Sequence, residues 1–246
     1  MSALTALLIG VVVLLTAMIS GVFGMAGGLI LLGILLVVLD VGPAMILLGF
    51  TQFASNGWRA VLWRQHVRWR LFGGFAIGAL AAFGVMRALV VIPPKGFIYL
   101  FIGVLPFATE LLPKPRAPDI SQPFMAVFCG FLMTVLQIIG GAAGNVLAVF
   151  FQASTLDRRE IVATKAVMQM LNHALRVIYF GSLVGFAPAG LNIWQIAGCM
   201  GLAIIGTTLG AQALKRISNH NFRTWSQWLI RAISVVYIVR GLSLMI

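Results

Sequence analysis

Charge is what this chain has least of, and acid is scarcest. Asp and Glu together number five in 246 residues, and all charged types make up 9%. A soluble domain of that length needs a much larger charged surface, so a water-facing globule is excluded. Cysteine is nearly absent. Cys129 and Cys199 both lie in apolar stretches, with no CxxC and no histidine at metal-ligand spacing. That excludes a disulfide scaffold and a cysteine metal site, and leaves packing as their expected role. HExxH, GxSxG and a pair of buried carboxylates are also missing. Without a nucleophile–base pair or metal ligands, no catalytic residue, metal or cofactor is expected. The seventeen Lys and Arg form no basic cluster interleaved with soluble structure, so nucleic acid is not an expected partner.

What is present is hydrocarbon. The composition is 61% hydrophobic, with a mean hydropathy of +1.06. Stretches long enough to cross a ~30 Å apolar layer recur along the chain. The expectation is an all-α polytopic membrane protein, with the lipid bilayer as its main partner. The first apolar run has no basic residues before it and reads as a retained span, not a cleaved signal. Apolar segments fall at 3–20, 29–39, 43–62, 71–92, 96–112, 123–139, 146–154, 161–180, 190–213 and 225–244. As one helix, 3–39 would reach about 55 Å, more than a membrane. The chain must therefore turn, and the glycine-rich stretch 21–28 is the natural place.

The chain is written twice, 117 residues apart. Gly24, Gly27, Leu39, Asp40, Gln52 and Arg59 recur as Gly141, Gly144, Leu156, Asp157, Gln169 and Arg176. This divides the molecule into repeat 1 (1–112), a proline-rich linker (113–122) and repeat 2 (123–246), within one membrane domain. Each repeat reads as a broken or reentrant helical hairpin followed by three crossings. An odd number of crossings inverts the second copy. The charges agree. With loop 64–70 inside, the inside segments carry ten Lys and Arg from Arg64 to Arg223, and the outside ones carry Lys95 with Arg87 nearby.

Two polar stripes stand out in the apolar background. Gln52, Ser55, Asn56 and Arg59 follow helical spacing i, i+3, i+4, i+7, and Gln169, Asn172, His173 and Arg176 repeat it. Polar groups in hydrocarbon face a partner or a wet cavity, although they also glue helices together and the arginines could snorkel. Gly24, Gly27 and Gly28 in the first glycine run, and Gly141, Gly144 and Asn145 in the second, suit a turn that aims free N–H groups and a helix dipole at an anion. Small-residue helix packing is the other reading. Asp40 and Asp157 are expected N-caps. Glu110 and His173 are candidate proton carriers.

These residues resemble the TauE/SafE sulfite exporter family. The likeness rests on Gly21-Val-Phe-Gly-Met-Ala-Gly-Gly-Leu, on Ile139-Gly-Gly-Ala-Ala-Gly-Asn-Val-Leu and on Asp157-Arg-Arg-Glu-Ile-Val-Ala-Thr-Lys, and it covers nearly the whole chain. It implies an anion transporter for sulfite or another organosulfur or organic anion, in the bacterial cytoplasmic (inner) membrane. The expected function is a secondary transporter working by alternating access, with a coupling proton or ion as a further partner. Its substrate-binding set comprises the glycines and Asn145 named above and both polar stripes. A passive anion channel and a membrane-embedded enzyme stay open as alternatives.

Overall fold

The computed structural model describes residues 3–23, 26–111, 117–185, 192–214 and 219–246. Among these there are ten α-helices and no strand. The first half of the chain, expected as repeat 1, supplies α1 (Ala3–Phe23), α2 (Ala26–Val38), α3 (Val41–Leu62), α4 (Trp69–Leu89) and α5 (Lys95–Glu110). The second half, expected as repeat 2, supplies α6 (Met125–Gly140), α7 (Gly144–Gln152), α8 (Arg158–Val184), α9 (Ile193–Leu214) and α10 (Asn219–Ser243). Each expected apolar segment falls on one of these helices, except that residues 112 and 190–191 of two of them lie outside the described residues. A single 3-10 turn, Arg64–His66, sits in the basic loop. Gly24 and the linker and loop cations Lys114, Arg116, Lys215 and Arg216 lie outside the described residues.

Three helices, α1, α4 and α9, are long and apolar enough to cross a membrane. Their outward faces carry exposed Leu7, Leu8, Ile77, Leu80 and Ile205. Such bare apolar surface belongs against lipid. The arms α2 and α7, at 13 and 9 residues, reach only about 20 and 14 Å and cannot cross alone. Helix α2 doubles back on α1. A Cβ on Gly27 would come within 2.7 Å of Ser20 N, so only glycine permits that approach. In repeat 2 the reversal is made by Gly141, whose φ of +74° is left-handed and closes α6 through Gly141 N–H to Gln137 O at 2.9 Å.

The two polar-striped helices, α3 and α8, pack on each other at the centre. Around them α1 packs on α9 and α4 on α6, and α5 pairs with α10. The arms lean across the repeats, α2 on α10 and α7 on α5. Each arm also receives hydrogen bonds on its backbone. Tyr99 Oη donates to Gly33 O at 2.8 Å and Tyr237 Oη to Leu29 O, both on α2. On α7, Phe150 O accepts from Ile120 N at 2.9 Å.

The two aspartates differ. Asp157 caps α8 in a full capping box: Arg159 N and Glu160 N donate to Oδ1 at 2.6 and 3.0 Å, and Asp157 N donates to Glu160 Oε2 at 3.1 Å. Asp40 occupies the same position before α3 but accepts no cap bond, and it pairs with Lys95 at 3.4 Å instead. The reason is local. Pro43 stands where Glu160 stands in the second copy, and proline has no N–H to give the third helical position.

Candidate functional site

The central helices keep their polar stripes off the lipid. Gln52, Ser55, Asn56, Asn172, His173 and Arg176 are all buried. Where α3 and α8 meet the second glycine turn and α5, the structure holds a cavity of about 40 Å³. That is room for a few waters or one small oxyanion. Its polar wall comprises Gly28, Gln52 and Asn56 from repeat 1, and Gln137, Gly141, Gly144, Asn145, Gln169 and His173 from repeat 2. Apolar Leu29, Leu48, Ile102 and Leu105 complete it with Pro106, Ala142 and Ala143. Eight of the fourteen expected site residues are thereby brought together.

The wall is rich in donors. Helix α7 starts at the cavity, and its internal bonds begin with Val146 and Leu147 N–H, both to Ala143 O. The amides of Gly144 and Asn145 stand ahead of them, at the positive end of the helix dipole. One acceptor comes from α5, where Pro106 has no N–H to offer Ile102 O, four residues earlier.

The other expected residues stand behind the wall. Gly27 serves the α1–α2 contact. Ser55 Oγ and Thr207 Oγ1 share a 2.7 Å bond that ties α3 to α9. Asn172 Oδ1 accepts from Thr134 Oγ1 on α6 at 2.8 Å, while its Nδ2 is buried without a partner. Arg176 has 0% exposure. It donates through Nη1 to Gly141 O and through Nη2 to His173 Nδ1 at 2.9 Å. Arg59 makes a looser copy of this arrangement, with Nη1 to Asn56 Oδ1 at 3.4 Å and Nη2 to Ser20 O at 3.5 Å. Each arginine thus grips the polar residue three positions earlier on its own helix and a backbone carbonyl near the end of the first helix of its half, α1 or α6. Glu110 is engaged by Arg231, 3.1 Å away, and is not part of the cavity wall.

Two residues escape the sequence reading. Gln137 lines the cavity and places Nε2 2.8 Å from His173 Nδ1. Its signal in the sequence is slight: it is a lone amide in an apolar arm, and its counterpart 117 residues earlier is Ser20. Lys165 lies within electrostatic reach of Arg59 and has no hydrogen bond or ion pair among the described residues. Its counterpart is the apolar Leu48, so the duplication does not point to it.

The family model described as "Sulfite exporter TauE/SafE" matches residues 8–237. No curated protein and no solved structure shows a significant match. The match spans nearly all of an all-helical chain with membrane-length apolar helices, and the chain therefore belongs to the TauE/SafE sulfite exporter family of integral membrane anion transporters.

Proposed function

We propose that the chain is a secondary transporter that moves a small oxyanion, sulfite or a related organosulfur or organic anion, across the bacterial cytoplasmic membrane by alternating access. The observation that carries this reading is the small central cavity, where amides from both repeats, an imidazole and the start of α7 converge with no carboxylate among them. Gln52, Asn56, Gln169 and His173 hydrogen-bond the anion's oxygens. Gly28, Gly141, Gly144 and Asn145 bring backbone close to it. Arg59 and Arg176 brace the site, and the unpaired Lys165 beside Arg59 adds positive potential that draws anions in.

The two repeats, 1–112 and 123–246, are inverted about an axis in the membrane plane, and their rocking exposes the cavity to one side and then the other. Support comes from the packing, in which α1 on α9 answers to α6 on α4, and α2 on α10 answers to α7 on α5. The charge bias of the loops agrees with it.

The test is sulfite counterflow in proteoliposomes. Preloaded unlabelled sulfite is expected to drive transient accumulation of labelled sulfite, saturably. Unsaturable flux without counterflow would establish a channel instead, and chemical conversion of the anion without net flux an enzyme.

A further inference from the structure

Two donors converge on one ring nitrogen. Gln137 Nε2 lies 2.8 Å and Arg176 Nη2 2.9 Å from His173 Nδ1. A guanidinium has five N–H groups and no acceptor, so Nδ1 must supply a lone pair. We propose that Gln137 and Arg176 act as positioning residues that fix His173 in its neutral Nε2–H tautomer, making it a permanent hydrogen-bond donor to the anion.

The rest of the geometry fits. Among the described residues Nε2 has no hydrogen-bond partner, yet it is not sealed off, and His173 forms part of the cavity wall. The free N–H is therefore the edge that the ring presents to the cavity. The assembly is closed on itself. Arg176 also binds Gly141 O, and Gly141 N–H binds Gln137 O, so the residues setting the tautomer are tied to the glycine turn. A proton placed on Nδ1 would face the Arg176 N–H, which has no acceptor to turn to it, and would break that bond, while Gln137 would have to turn its Oε1 to the ring.

The consequence is a selectivity rule, which rests on the anion-transport reading above. The amides of Gln52, Gln169 and Asn145 can turn either their oxygen or their nitrogen toward a ligand. His173 cannot. Its corner always offers a proton, so it binds a ligand oxygen through a lone pair and holds an ionised oxygen most strongly. Groups that can only donate at that point, such as an ammonium, are rejected.

Nitrogen NMR on the full chain, with ¹⁵N-labelled histidine in detergent micelles, tests the assignment without any substrate. His173→Gln identifies the resonances by their loss. The expected spectrum has a one-bond proton coupling at Nε2 of His173 and none at Nδ1. A proton on Nδ1, or an even mixture of tautomers, would overturn the proposal. Gln137→Glu places an acceptor beside Nδ1 and should move the proton to that nitrogen. Gln137→Leu leaves Arg176 in place and should keep it on Nε2. An unchanged tautomer in Gln137→Glu, in protein that elutes like the parent, also overturns the proposal. Added sulfite should shift the Nε2 resonance. If the tautomer is as expected but sulfite moves nothing and no flux is seen, the anion reading fails and the assignment of the proton stands.

Discussion

The two halves of this molecule hold the same arginine at very different strengths. In the second, Arg176 is sealed from solvent and bonded to Gly141 O and His173 Nδ1, with Gln137 completing the ring. In the first, Arg59 reaches Asn56 and Ser20 only at 3.4 and 3.5 Å and is partly open. Both halves place an arginine that braces the polar side chain three residues before it and a carbonyl near the end of that half's first helix, and the contacts are shorter in the second half. The cavity follows that difference, since residues 141–145 of the second glycine turn all line it, whereas Gly28 alone of the glycines in the first run does. The likeness between the halves thus extends further in their helix packing than in the cavity wall.

The sharpest way to break the comparison is to remove each arginine. Arg176→Gln leaves Gly141 O and His173 Nδ1 short of a buried donor, and each such loss costs about 1–3 kcal/mol. Arg59→Gln gives up longer, partly solvated bonds and should cost within about 1 kcal/mol. Unfolding in detergent measures both, and equal losses would end the claim of asymmetry. A second contrast uses the glycines. Gly141→Ala forces a left-handed φ on a side chain and drives its Cβ to 2.8 Å from Leu32 and Met45, so it should lose about 1–3 kcal/mol and most of the flux. Gly28→Ala comes no nearer than 3.4 Å to its closest neighbour, Gln52, and should fold like the parent.

Smaller effects test where the halves agree. Gln52→Leu and Gln169→Leu each remove a hydrogen bond to an anion, worth about 1.5–3 kcal/mol, so sulfite flux at subsaturating concentration should fall roughly tenfold or more in each. A loss in only one variant would show that a single repeat binds. The smallest contrast lies at the caps. The Glu160 and Arg159 N–H groups hold the Asp157 carboxyl below its ordinary pKa of 3.8. A depressed folded-state value stabilises the fold above the unfolded value, and the gain is lost as pH falls through the folded one. Asp157→Ala should lower stability at neutral pH and flatten its acid limb, whereas Asp40→Ala, with no cap bond to lose, should leave both nearly unchanged.

Much of this architecture was legible because an apolar chain punctuates itself plainly. Gly21–Gly28, Asp40–Pro43, Pro93–Pro94 and Asp157 mark helix ends by backbone chemistry, and α1 to α5, α7 and α8 begin or end near them. Helical spacing put Gln52 and Asn56, and Gln169 and His173, on common faces, and those faces meet at the cavity. Partnerships that need the third dimension were not legible. Nothing in residue order says that Arg176 turns back to Gly141 O, or that Gln137 meets His173 from another helix. The missing cap at Asp40 was readable in principle, since Pro43 removes the donor, but the match between Asp40 and Asp157 is more conspicuous than the mismatch three residues on.

The tyrosines on α2 have a mechanical meaning. Tyr99 and Tyr237, from α5 and α10, fasten to carbonyls one turn apart on that arm, and their rings pack with centroids 5.5 Å apart. A rod pinned at two points cannot swivel about either. Helix α2 is thereby fastened to the α5–α10 pair, which ties the place of Gly28 at the cavity rim to that pair.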